Sequence, residues 1–264
     1  MRWPSPSRLA WLFGIAGVVI GTVMFAPASW LAAAVMSATQ NKVQLVNARG
    51  TIWRGHADLV LTGGDGSRTL TALPKGVHWQ MGLRWATSQP AFEVKLSAPC
   101  CTPEVLNALI LPGFSSSTVR VHAPRSQWPA QLLAGLGTPW NTLQLDGMLT
   151  VEARRFELNW AKGRLIADGN VRLEAVDVSS RVATIRPLGS YRVEVSASRQ
   201  SQQAVILLQT ERGALELEGD GMWVGGRLRF EGEASAAPGK ETALNNLLNI
   251  LGRRRGPISV IKIG

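Results

Sequence analysis

The sequence is poor in the residues that build most active sites. It has three histidines, two cysteines and one tyrosine in 264 residues, and acids are scarce, 18 against 28 Lys and Arg. His56, His78 and His122 lie far apart and form no helical H-x-x-x-H pair. No G-x-S-x-G elbow, no G-x-x-x-x-G-K-[ST] phosphate loop and no dinucleotide fingerprint opening a βαβ unit occurs. Gly63-Gly64-Asp65-Gly66 has Asp58 as its one acidic neighbour, too few oxygens at fixed spacing for calcium, and reads as a hairpin turn. The pattern points to no catalytic residue, no metal site and no cofactor. The two cysteines are adjacent, Cys100 and Cys101, so they do not make a zinc site. Plain thiols near a loop or a vicinal disulfide in an oxidising compartment are the two readings.

Charge is also missing locally. No charged residue stands between Arg8 and Lys42. Leu9 to Trp30 is apolar, and as a helix at about 1.5 Å per residue it would run roughly 33 Å, enough to cross a bilayer core. Leu9, Phe13, Val18, Ile20 and Phe25 make its oily body, while Trp11 and Trp30 sit near its ends, where indoles favour the headgroup layer. Arg2 and Arg8 precede it, and the positive-inside rule then keeps the N-terminus in the cytoplasm and exports the remainder of the chain. A cleaved signal peptide is the competing reading, with small residues at 28–34, but signal cores run about 7–15 residues. The expected organisation is a cytoplasmic tail (1–8), a transmembrane helix (9–30) and a periplasmic β-rich domain (31–264).

What is present beyond Lys42 is period-two alternation. Val171 and Leu173 alternate with Arg172 and Glu174, Val193 and Val195 with Arg192 and Glu194, and Leu228 and Phe230 with Arg227, Arg229 and Glu231. One face is buried and one wet, as in antiparallel strands. Asp146-Gly147, flanked by Leu143, Leu145, Leu149 and Val151, predicts a tight hairpin. The fold class is mainly β: a curved antiparallel sheet after one membrane helix, with a few short helices. The helices are expected from Thr102-Pro103-Glu104 through Leu109, from Trp128 to Leu136, and from Lys240 to Leu251. The last places Leu244, Leu247, Leu248 and Leu251 on one stripe, to pack on the sheet or lie on a membrane. Arg253-Arg254-Arg255 would be its cationic end, and Ile258–Ile263 a final strand.

There is an internal echo that would mark a duplication. Trp160 to Leu165 and Trp223 to Leu228 both read W-x-x-G-R-L, and Gly50 to Leu59 is a looser relative. The expected use is a buried Trp under a tight turn; a Trp row lining a lipid groove is the sharper alternative. The net charge of +10 is spread as single arginines alternating with apolar residues, which does not suit nucleic acid.

Ala48–Gly55 reads A-R-G-T-I-W-R-G, with Gly50, Trp53 and Gly55, and Leu143–Leu149 reads L-Q-L-D-G-M-L, with Asp146 and Gly147. Arg186–Val193 reads R-P-L-G-S-Y-R-V, with Arg186, Pro187, Leu188, Gly189 and Tyr191, and Gly213–Gly219 reads G-A-L-E-L-E-G, ahead of a closing region at Leu228–Gly239. In these segments and their order the chain resembles protein N of the bacterial type II secretion system. The resemblance implies a non-catalytic inner-membrane component of the machine that moves folded proteins across the outer membrane. Its implied partners are other parts of that machine, with membrane lipid met through one helix. A periplasmic lipid-handling module with a hydrophobic groove is the alternative from the residues alone.

Overall fold

The computed structural model describes residues 6–64, 69–86, 89–113, 115–138, 140–161, 163–201, 203–224 and 227–264, without the side chains of residues 6–9, 12 and 224. Arg2, Asp65, Gly66, Lys162, Gly225 and Gly226 lie outside the described residues, as do the side chains of Arg8 and Leu9.

Two helices come first, α1 (Pro6–Met24) and α2 (Ala28–Ala38). The sequence predicts a single helix over residues 9–30, and Pro27 is the reason for the difference. Proline has no N–H and disfavours the helical conformation in the residue before it, so the chain passes Phe25 and Ala26 outside any helix. Pro27 itself is extended and caps α2. Among the described residues no helix is long and apolar enough to cross a membrane.

Next come β1 (Val43–Gly50), β2 (Arg54–Thr62), β3 (Leu70–Ala72), β4 (Val77–Ala86), β5 (Gln89–Ser97), β6 (Leu106–Leu111) and β7 (Ser116–Pro129). A 3-10 turn (Ala130–Leu136) and the short α3 (Trp140–Leu143) lead to β8 (Leu145–Ala161), β9 (Arg164–Ser180), β10 (Gly189–Ser198), β11 (Gln203–Gly213), β12 (Leu215–Val224) and β13 (Arg227–Ala236). The chain closes with α4 (Glu241–Leu251), β14 (Arg253–Arg255) and β15 (Ile258–Ile263). All the strands join one antiparallel sheet in the order β1-β2-β4-β5-β6-β7-β8-β9-β10-β11-β12-β13-β15-β14, with β3 paired to β2.

The alternation works as the sequence predicts. The register aligns Leu173, Val193, Leu208, Gly219, Gly232 and Ile261 in one row across the sheet. The next row on the same face is Val171, Val195, Ile206, Gly221, Phe230 and Ile263. Between them, on the opposite face, run Arg172, Glu194, Leu207, Asp220, Glu231 and Lys262. Where the apolar face carries glycine, the Phe230 ring fills the space: a Cβ at Gly219 would stand 2.6 Å from its Cζ, and Gly221 and Gly232 meet the same ring. An aromatic laid over strand glycines restores the apolar cover those positions lack.

Because the order is nearly sequential, successive turns fall at alternate ends of the sheet. One end collects the long connections: the loop with Cys100 and Cys101, the 3-10 turn, α3, the loop before β10, and α4. The largest core cluster is there, with Leu244, Leu247 and Leu248 of α4 fully buried against Leu188, Tyr191, Leu215 and Ala234. A second cluster joins Leu73, Val77, Ala98, Cys101 and Leu132 at that end. The other end carries the hairpin tips β4–β5, β6–β7, β8–β9, β10–β11 and β12–β13.

Four local expectations are corrected. Asp146-Gly147 is not a hairpin turn: β8 runs straight through it, and the pair forms a bulge against β9. Gly147 takes φ +126, and Asp146 Oδ1 accepts its N–H at 2.8 Å. The segment after Thr102 is not a helix. Thr102 Oγ1 closes a turn by accepting the Ala98 N–H at 2.8 Å, and Leu106–Leu111 then pairs with strands on both sides, which outweighs its helical propensity. From Trp128, two residues still belong to β7, and only Ala130–Leu136 coils, as a 3-10 turn. The three arginines after α4 do not end a helix; they form β14, hairpinned to β15. The expected final helix and final strand both form.

Candidate functional site

The motif segments come together as structural corners. In the G-T-I-W-R-G corner, Gly50 pairs with Gly55, and the Trp79 indole covers Gly55 so closely that a Cβ there would collide with it. Trp79 Nε1 donates to the carbonyls of Ile52 at 3.1 Å and Thr51 at 3.2 Å. Trp53 Nε1 donates to the Val23 carbonyl at 2.8 Å, and the Ile52 N–H to the Ala26 carbonyl at 2.9 Å. The corner therefore grips the last turn of α1 and the break before α2. Ala28, Ala57 and Trp79 form a small buried cluster beneath it.

The R-P-L-G-S-Y corner ties four strands together. Leu188 donates its N–H to the Val178 carbonyl at 2.7 Å, and its own carbonyl accepts the N–H groups of Ala214 and Leu215. Gly189 faces Gly213 across the ladder, where a Cβ on Gly213 would strike the Gly189 Cα. Tyr191 is buried and donates its hydroxyl to the Leu215 carbonyl at 3.1 Å; burial holds its phenol proton far above the usual range. Arg186 and Pro187 are exposed and joined by a cis peptide bond.

Cys100 and Cys101 are joined by a disulfide, with Cys101 buried. His56 and His78 stack with ring centroids 5.8 Å apart. Among the described residues no group of three or more His, Cys, Asp and Glu side chains is placed to hold a metal. A polar cleft of about 600 Å³ lies between β3, the 3-10 turn and the start of β8, lined by Thr71, Gln131, Asn141, Asp146 and Arg181. The wet face of the sheet is a lattice of exposed ion pairs, among them Arg120–Glu157 at 2.8 Å and Arg172–Glu194 at 3.1 Å. Each contributes little on its own, but together they keep this face soluble.

The echo is a repeated hairpin. Trp160 pairs with Leu165, and Trp223 with Leu228, so in each copy the Trp faces its own Leu across the turn. The expectation of buried indoles is corrected: Trp160 is 57% and Trp223 46% exposed, because both sit at tips that no other element covers. In α1, Trp11, Phe13, Val18 and Ile20 are exposed, and so are Phe25 at the break and Trp30 in the first turn of α2.

One surface gave no signal in the sequence. β2 pairs with β4 only from Val77 to Gln80, whereas β5 pairs with it from His78 to Ala86. Among the described residues, β4 from Gly82 to Ala86 thus has no strand on its other side. Leu83 and Trp85 on this open edge are exposed.

A family model described as Type II secretion system (T2SS), protein N matches residues 41–260. The chain belongs to this family. The match contains all four motif segments, and membership makes the chain a component of the type II secretion machinery. The two corners explain their motifs as supports of the sheet. No curated protein and no solved structure matches the chain.

Proposed function

We propose that this chain acts as a non-catalytic inner-membrane component of the secretion machine. Its apolar N-terminal segment stays in the bilayer, with Arg2 and Arg8 on the cytoplasmic side, and the β-sheet domain stands in the periplasm. There the domain contacts other parts of the machine through its sheet edges. The observation that carries this reading is the open edge of β4 at Gly82–Ala86, with its unpaired backbone groups and exposed Leu83 and Trp85. Natural sheets usually cover or charge such edges, and an uncovered apolar edge accepts an added strand. The two terminal edges of the strand order are guarded: β14 is three arginines, and β1 is bulged at Asn47, whose Nδ2 donates to Asp58. The absence of charge from Leu9 to Asn41 supports the membrane part.

A photo-crosslinking residue placed at Leu83 in intact cells tests the edge contact. The reading predicts crosslinks to secretion-machine proteins and a secretion defect on deleting the gene. Unchanged secretion together with no crosslinked partner contradicts it.

A second reading, lipid handling, is favoured by one observation. The row Val171, Val195 and Ile206 is only half-buried, beyond the reach of α4. Lipid extracted from gently purified protein, and displaced when Val195 is replaced by Arg, would support it.

A further inference from the structure

We propose that the hairpin-tip end of the sheet lies on an anionic membrane surface, with its exposed tryptophans in the headgroup layer. The inference rests on the reading that the N-terminal segment enters the bilayer.

Three observations converge on this end. The first is direction. The β1–β2 corner that holds the end of α1 is on the tip side, since β2 runs antiparallel to β4. Trp53 and Ile52 bind the carbonyls of Val23 and Ala26 there, level with Gln80 of β4, so the last turn of the apolar α1 is attached on the tip side of β2 rather than at the capped end.

The second is composition. Trp160 and Trp223 stand at two of the tips, each near the turn end of its strand, and Leu165 and Met222 are exposed beside them. Indoles on exposed hairpin ends are costly in water. They are favoured at the membrane interface, where the ring meets acyl chains and the N–H meets polar groups.

The third is charge. Among their described residues, the five tip segments, 84–90, 111–117, 159–165, 198–204 and 222–228, contain Arg84, Arg164, Arg199 and Arg227 and no Asp or Glu. Arg164 and Arg227 are exposed immediately beside the Trp–Leu pairs. The opposite end mixes signs, with Glu104, Asp146, Asp177 and Glu241 alongside its arginines. Arg84 pairs with Glu93 at 3.2 Å and Arg199 with Glu157 at 2.8 Å, so the cations that face outward beside the tryptophans are Arg164 and Arg227, and these complement a surface of anionic headgroups. A protein groove would equally take the indoles, but it would not account for the attachment of α1 on the tip side.

The experiment uses the full chain in vesicles of phosphatidylethanolamine and phosphatidylglycerol. The native cysteines are bonded to each other, so a maleimide dye labels only an added cysteine. Leu165→Cys and Met222→Cys report on the tips with all tryptophans kept, Arg181→Cys on the opposite end, and Val18→Cys on α1. With headgroup-labelled quencher lipid, the dye at 165 and 222 is expected to lose most of its emission, while the dye at 181 keeps it. Removing phosphatidylglycerol, or adding Trp160→Ala with Trp223→Ala, is expected to restore the emission at 165 and 222. Quenching at 18 with none at 165 or 222 overturns the inference and leaves the anchor standing. No quenching at any position, 18 included, overturns both. Crosslinks from 165 and 222 to a protein in cells, without quenching in vesicles, would replace lipid by a protein partner.

Discussion

Tyr191, the single tyrosine of the chain, shows how a motif residue can be structural. Its hydroxyl gives the Leu215 carbonyl a hydrogen bond inside the main core. Tyr191→Phe leaves that carbonyl without its donor and is expected to cost about 1 kcal/mol in urea unfolding at neutral pH. Burial raises the phenol's folded pKa above its unfolded value near 10. The neutral phenol's stabilisation is therefore complete below about pH 10, where the unfolded chain is also protonated, and is lost as pH rises beyond that. Unfolding series from pH 8 to 11 should show the natural chain losing stability more steeply above 10 than the Phe variant; parallel curves would contradict the assignment. The cysteine pair predicts the reverse kind of result. A bridge between adjacent residues closes almost no loop, so Cys100→Ala with Cys101→Ala should change stability by less than about 1 kcal/mol. A loss of several times that amount would show that the bridge fixes the loop packed on Leu132 and Val77.

Among the elements, α4 carries the largest testable weight. It covers one end of the sheet with three fully buried leucines, and Leu247→Ala should cost about 2–5 kcal/mol by calorimetry or urea titration. A change below about 0.5 kcal/mol would mean that α4 does not cap the core. This helix is legible in the sequence because its stripe of Leu244, Leu247, Leu248 and Leu251 has one period and one covering task. The strands from Val171 to Phe230 are legible for the same reason: apart from one bulge at Ser190–Tyr191, their alternation is undisturbed. The failures share a cause. Asp146-Gly147 has the chemistry of a turn, but a bulge uses the same left-handed glycine, and only pairing with β9 over seventeen residues decides between them. Thr102-Pro103-Glu104 has the chemistry of a helix start, but the strands on either side of Leu106–Leu111 decide the outcome. At the N-terminus the oily run hides Pro27, whose backbone effect divides it into two helices. The W-x-x-G-R-L echo is visible as a pattern, while its exposure is not, since nothing local says whether a hairpin tip will be covered.

The whole molecule is one antiparallel sheet with two unlike ends. Long connections, core clusters and α4 gather at one; short tips, tryptophans and arginine-bearing turns gather at the other, and the last turn of α1 is attached on that side of β2. None of this polarity can be read from any single segment, because it arises from the near-sequential strand order. It gives the secretion-machine component a body with one capped end and an open β4 edge beyond the corner that holds the last turn of α1. The central claim is that the N-terminal segment holds this body on the outer face of the inner membrane. Fusing alkaline phosphatase after Gly264, with β-galactosidase at the same position as the counterpart, tests this most directly. Strong phosphatase activity with little β-galactosidase activity is the predicted result; an active β-galactosidase fusion with silent phosphatase would contradict it.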